Sequence, residues 1–262
     1  MERCPVREAA VKLQQWFSVP SAGPEAPAER RAATTPAPAA APATEPQEEL
    51  VSKEERAGES EEPNKPLAFT LRGIDPAHPY LAGRGITRET AEFFGAGFFP
   101  GKGIMSGRVV IPIHNERGEL VAYAGRSLKD DDPGGKYKLP PGFHKGQALF
   151  NLTRAAAFDA HSPLVIVEGF FDVMKVHQAG YRRVVALMGS SLTAGQGKLL
   201  AERCDPGERI VLMLDGDEAG RKGTAEILSR LVARFFVRAV NLPDNMQPDK
   251  LPERQIREIL VF

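Results

Sequence analysis

A chain of 262 residues, 42% hydrophobic and 26% charged, has the composition of one or two soluble globular domains. No run approaches the roughly 18 apolar residues of a membrane span, so no membrane partner is expected. Two cysteines, Cys4 and Cys204, exclude a disulfide framework or a complete zinc site and make a cytoplasmic, reducing compartment the default.

Formal net charge is zero, but the zero is an average. Residues 48–62 hold seven Glu against Lys53 and Arg56, a local charge of −5, so the rest of the chain carries +5. A phosphate-binding protein needs a local basic surface, not a high overall charge.

In chain order, residues 1–19 read as a short amphipathic helix, with Val6, Ala9, Ala10, Leu13, Trp16 and Phe17 at helical spacing. Residues 20–66 are rich in Ala, Pro and Glu and contain only Leu50 and Val51 as larger aliphatics. Such a stretch cannot bury enough apolar surface to offset its ordering entropy, so a disordered linker is expected. Residues 67–150 form a small mixed α+β subdomain. Thr87 is placed to cap a helix running to about Phe94. Two β runs, 108–113 and 120–124, flank the turn Asn115-Glu116-Arg117-Gly118 as a hairpin. Residues 129–143 read as a polar loop rich in Gly and Pro.

Residues 151–262 alternate strand and helix. Strands are expected near 164–168, 183–188, 209–215 and 235–242, and helices near 171–179, 193–204, 219–234 and 252–260. That alternation predicts an α/β fold with a parallel sheet covered by helices. Two acidic clusters follow two of its apolar runs: Glu168-Gly169-Phe170-Phe171-Asp172 and Asp215-Gly216-Asp217-Glu218-Ala219-Gly220. Ligand groups gather at the carboxyl ends of parallel strands. Four carboxylates on one rim can hold hard divalent cations such as Mg²⁺ or Mn²⁺, which take oxygen ligands and neutralise phosphate charge. Asp215 and Asp217 point the same way if the strand continues through them. Taken singly, each cluster is equally a capped strand-to-helix turn.

This pair resembles the Toprim domain of bacterial-type primases, topoisomerases and some nucleases. Upstream, His78-Pro79-Tyr80-Leu81-Ala82-Gly83-Arg84-Gly85-Ile86, Gly107-Arg108-Val109-Val110-Ile111-Pro112-Ile113, Ala124-Gly125-Arg126, Lys136-Tyr137 and Phe143-His144-Lys145-Gly146 resemble, in order, the basic subdomain of bacterial-type DNA primases. The resemblance covers roughly 67–250 and implies a Rossmann-like Toprim domain over 151–262. It implies catalytic roles for Glu168, Asp215 and Asp217, and a Mg²⁺ or Mn²⁺ site drawn from Glu168, Asp172, Asp215, Asp217 and Asp249. It also implies nucleic-acid or nucleotide contacts at Arg108, Arg126, Lys136, Tyr137 and Lys145. In Pro243-Asp244-Asn245-Met246-Gln247-Pro248-Asp249, Gln247 stands where the family has a carboxylate; Asp244 is expected to compensate in part.

The implied function is Mg²⁺-dependent synthesis of short RNA primers on single-stranded DNA from ribonucleoside triphosphates. The first residues resemble the helical tail of a primase zinc-binding domain, whose Cys/His cluster is not in this sequence; nor is a helicase-binding domain. A replicative helicase or a separately encoded zinc-finger protein is therefore an implied partner. Two alternatives stay open: a metal-dependent Toprim nuclease, and a nucleic-acid-binding replication accessory with little catalysis. His144 and His177 read as packing or loop residues, and Cys204 as a small buried hydrophobe at a helix end.

Overall fold

The computed structural model describes residues 62–261, so the helix expected over 1–19 and most of the linker lie outside the described residues. The last five residues of the expected linker are described, and they dock on the protein. Leu67 N–H donates to Leu120 O at 2.7 Å, and Asn64 bonds the backbone of His144.

Two short helices come first, α1 (Pro79–Gly83) and α2 (Arg88–Phe94). Thr87 caps α2 through its hydroxyl, and Gly95 ends it in the left-handed conformation, φ 67°. An antiparallel sheet follows in the order β1 (Gly97–Phe99), β2 (Arg108–His114), β3 (Leu120–Arg126), β4 (Tyr137–Lys138). The β2–β3 hairpin turns where expected, with Asn115 Oδ1 accepting from the N–H groups of Arg117 and Glu119. The loop expected over 129–143 carries β4, a two-residue strand that pairs Arg126 with Tyr137. Its polar composition hid the strand because only two residues pair.

The second sheet is parallel, ordered β6 (Val184–Ala186), β5 (Leu164–Val167), β7 (Arg209–Leu212), β8 (Phe236–Ala239). Its helices are α3 (Leu152–Ala156), α4 (Phe170–Gln178), α5 (Ala194–Arg203), α6 (Glu218–Leu231) and α7 (Glu253–Ile259). Strand residues alternate between two cores, as a period of two demands. Leu164, Ile166, Ile210 and Leu212 pack with Leu200 of α5 and Ile227 of α6. Val165, Val167 and Val211 face the other way, toward Val173 and Met174 of α4 and Ile256 of α7. That second core is continuous with Ile111, Ile113 and Phe94, so the antiparallel sheet is fixed against α4 by packing. Lys175 and Gln178 of α4 also donate to Gly85 O, each at 3.1 Å. Among the described residues no helix is long and apolar enough to cross a membrane.

This packing fixes where the site lies. β5 and β7 are central and adjacent, so the loops leaving their carboxyl ends share one rim. The neighbouring turn at the end of β6 is strained: Met188 is held at φ 61°, its N–H donating to Glu168 O at 2.8 Å.

Candidate metal and nucleic-acid site

Glu168 leaves β5 and turns its side chain to the start of the next loop, where Oε1 accepts from Asp215 N–H at 3.0 Å. Asp215 Oδ2 accepts from the Gln247 amide at 2.6 Å, and Asp215 Oδ1 is buried with no hydrogen-bond partner. Ladder pairing in β7 ends at Leu212, so Asp215 and Asp217 do not share a strand face as the spacing suggested. The chain turns at Gly216 instead. Asp217 becomes the N-cap of α6, its Oδ1 accepting from Gly220 N–H at 2.8 Å, and it remains exposed.

Asp172 lies deeper. It caps the start of α4 from its first turn, Oδ2 accepting from Gly169 N–H at 2.8 Å, while Oδ1 accepts from Asp249 N–H at 3.0 Å. Asp249 is buried and ion-paired with Arg84, whose guanidinium also lies over the Phe171 ring, 5.0 Å from its centroid. Asp249 Oδ1 is buried without a partner. Asp244 does not compensate for Gln247: it is exposed and bonded to Arg221 at 2.9 Å. Gln247 joins the cluster at the position where the resemblance expects a carboxylate, whereas Arg84 is a member that sequence reading did not place there, its charge being the only signal.

The electrostatics are those of crowded carboxylates, buried or half-buried. Burial, with the nearby charges of Asp215 and Asp217, pushes the Glu168 carboxyl up to about 7. Burial, with Asp249 and Asp215 beside it, pushes Asp172 up to about 8. Asp215 is also raised, again chiefly by burial. Among the described residues no three acidic, His or Cys side chains already converge on one point. Glu168, Asp172 and Asp217 accept from backbone N–H groups instead. The orphaned oxygens of Asp215 and Asp249 are the fit to a hard cation: buried carboxylate oxygens lacking a donor are strongly disfavoured unless something positive reaches them.

A pH dependence follows. An acid whose folded pKa is raised holds its proton in the folded state where the unfolded chain has released it, so stability falls as pH rises through that window. For Glu168 and Asp172 the window runs from about 4, the ordinary carboxylate value, to about 7 and 8. His177 works the opposite way but only at lower pH: burial, with Arg182 and Arg154, holds it down to about 4, so its contribution changes between 4 and its ordinary value near 6.5. Between pH 6.5 and 8.5 the carboxylates therefore dominate. Without metal the melting temperature should fall across that interval, and Mg²⁺ should restore more at pH 8.5 than at 6.5. Thermal melts in EDTA and in Mg²⁺ check this; a rise with pH in EDTA would contradict it.

The basic residues divide into two groups. Arg108 is buried, its guanidinium donating to Asp132 at 2.6 Å and to the carbonyls of Gly125 and Gly135. Arg126 is buried too, donating through Nε to the Tyr80 hydroxyl at 2.9 Å, ion-paired with Asp130, and lying over the Tyr137 ring. The Tyr137 ring packs on Phe170, centroids 5.4 Å apart, and is not an open stacking platform. These contacts hold β4 in place, with both guanidinium groups buried and Tyr137 half-buried. Lys136 and Lys145 are exposed. Lys145 Nζ stands 3.7 Å from where a Cβ on Gly189 would project, just past β6 and so on the same sheet end as Glu168. His177 is buried, stacked on Phe93 at 4.4 Å, and Cys204 is buried at the end of α5, as their sequence setting indicated.

Comparison with known proteins agrees with this geometry. Residues 165–251 match the family described as Toprim-like, and 102–156 match the N-terminal domain of the DNA primase catalytic core. A DNA primase of Deinococcus radiodurans is 35% identical over 212 residues, covering 66% of this chain and 36% of that protein. The solved zinc-binding and RNA polymerase domains of the Aquifex aeolicus primase superpose with TM-score 0.60 at 29% identity, covering 70% of this chain and 55% of that one. A DnaG primase catalytic domain bound to single-stranded DNA superposes with TM-score 0.58 at 28% identity, covering 70% of each. The chain spans between 22% and 39% of the length of the curated relatives it matches.

Proposed function

We infer that this chain, which belongs over residues 102–251 to the family of bacterial-type DNA primase catalytic cores, is a metal-dependent nucleotidyltransferase that makes short RNA primers on single-stranded DNA. The observation that carries this is the rim itself: Glu168 and Asp215 in contact, buried carboxylate oxygens without donors, and Lys145 on the same sheet end. Glu168, Asp215 and Asp217 would hold Mg²⁺ or Mn²⁺, with Asp249 at the margin. When bound, such cations neutralise triphosphate charge and favour attack by a 3′-hydroxyl.

The protein's own residues do the rest. Asp172 fixes the start of α4 and the Asp249 turn, so both acidic loops keep their spacing. Arg84 balances Asp249, which leaves the other three carboxylates to face substrate phosphates through cations. Lys136 and Lys145 supply the positive edge that draws template or triphosphate to an acidic rim, since phosphates do not approach bare carboxylates.

Template-dependent incorporation of labelled ribonucleotides in Mg²⁺ tests the reading. DNA cleavage without incorporation would favour the nuclease. Binding without turnover would favour the accessory role, for which Gln247 speaks: its amide neutralises nothing and already occupies Asp215.

Binding has its own test. Each neutralised phosphate contact contributes roughly 0.7 to the salt slope on single strands, so Lys136→Ala with Lys145→Ala should flatten it by about 1.4. Arg126→Ala should lower the melting temperature instead, because it removes the buried partner of Tyr80 and Asp130. Fluorescence anisotropy at several salt concentrations reads the slope; an unchanged slope in the double variant would place both lysines on a merely solvated surface.

A further inference from the structure

We propose that Asn64 is a positioning residue for Lys145, tying the segment that enters the domain to the basic edge of the metal rim. The inference rests on the reading of Lys145 as a phosphate contact. The Asn64 side chain pairs with the backbone of His144 in both directions: His144 N–H donates to Oδ1 at 2.8 Å, and Nδ2 donates to His144 O at 2.9 Å. An amide is the group that can do both at once. The contact joins residues 80 apart in sequence.

Asn64 is itself held. Pro63 and Pro66 restrict the backbone on either side, and Leu67 N–H is fixed to Leu120 O. Between this segment and the 140–144 loop lies an open cleft of about 370 Å³. Side-chain packing therefore does not close the gap, and the clamp carries the contact.

The other side of the turn is anchored from the parallel sheet. Thr193 Oγ donates to Gly146 O at 2.6 Å. Gln196, fully buried, donates its two amide hydrogens to Leu187 O at 2.7 Å and Ala148 O at 3.0 Å, with Lys145 O sharing the second at 3.3 Å. The backbone of 144–148 is thus gripped from both flanks while the Lys145 side chain stays exposed beside Gly189. Releasing one flank frees the turn and spreads the ammonium over many positions, which costs binding through entropy and not through lost charge.

The test uses the full chain and an oligothymidine single strand, with Lys145→Ala, Asn64→Ala, Asn64→Asp and the Asn64→Ala/Lys145→Ala double variant. Lys145→Ala should weaken binding roughly fivefold at low salt, the scale of one exposed ion pair, and lower the salt slope by about 0.7. Asn64→Ala should lose most of the same affinity while keeping a near-wild-type slope, because the ammonium is still present, and should melt close to wild type. Asn64→Asp should do no better, because a carboxylate opposes the His144 carbonyl. The double variant should bind no worse than Lys145→Ala alone, since both changes remove one contact. Wild-type affinity in the Asn64 variants alongside a loss in Lys145→Ala, or fully additive losses, would overturn the proposal and leave the reading of Lys145 standing. Wild-type affinity in Lys145→Ala would remove that reading and this inference with it.

Discussion

Glu168→Gln and Asp215→Asn should each abolish template-directed ribonucleotide incorporation while the protein stays folded. Both changes are isosteric and keep the local hydrogen bonds. An amide oxygen at position 168 would still accept from the Asp215 N–H, and one at position 215 from the Gln247 amide. What they remove is charge. A hard cation depends on ionised oxygen ligands, so cation affinity should collapse. The rate should fall by more than about 100-fold, because even the outer partners of metal ligands are worth roughly 10- to 100-fold. In EDTA the melting temperature should hold or rise, since burial already disfavours both charges. Thermal melts with an incorporation assay read both effects. Retained incorporation in either variant would remove that residue from the catalytic centre.

Gly216→Ala should damage the site severely for a single methyl group. A Cβ on Gly216 would stand 2.0 Å from Pro243 O, a backbone atom that cannot swing aside. The Gly216 N–H donates to Met246 O at 2.8 Å, and its carbonyl accepts from Asn245 N–H at 2.9 Å, so the 243–246 loop is tied to it on both sides. Adding the methyl must push that loop away, carrying Gln247 and the Asp249 turn with it. Overpacking of this kind costs about 1–3 kcal/mol and sometimes more. For a domain of this size that lowers the melting temperature by roughly 2–12 °C. Activity should fall further than stability alone predicts, because misplacement of about 1 Å can cost 100-fold. Differential scanning calorimetry and the incorporation assay at a temperature well below the transition separate the two. An alanine variant with wild-type melting and rate would show that the loop yields freely.

The parallel sheet was legible because its strands are continuous apolar runs, buried on both faces, and each is followed by a helix signal. Leu164-Val165-Ile166-Val167 needed no alternation to read as a strand. The acidic rim was legible because Gly follows Glu168 and Asp215 at the points where the chain turns. Its internal arrangement was not. Spacing put Asp217 on a strand face, but pairing stops at Leu212, well short of what that inference needed.

The charged residues were the least legible. Arg108 and Arg126 carry the same charge as Lys136 and Lys145, and sequence alone does not say which will be buried. One cue was present: the run Asp130-Asp131-Asp132 lies just beyond Arg126 and supplies the partners of both arginines. Guanidinium groups with fixed donor forks suit such buried pairing better than ammonium groups do. Asn64 was invisible for a different reason. It sits in a segment whose composition reads as linker, and its partner is a backbone 80 residues away. Arg84 and Asp249 meet across 165 residues.

Calorimetric titration of Mn²⁺ at pH 8, into the wild-type chain and into Glu168→Gln and Asp215→Asn, tests the central claim most directly. Saturable binding in the wild type that is lost in both variants is the result expected of a carboxylate rim built to hold divalent cations. Equal affinity in all three proteins would place the cation elsewhere and contradict the account.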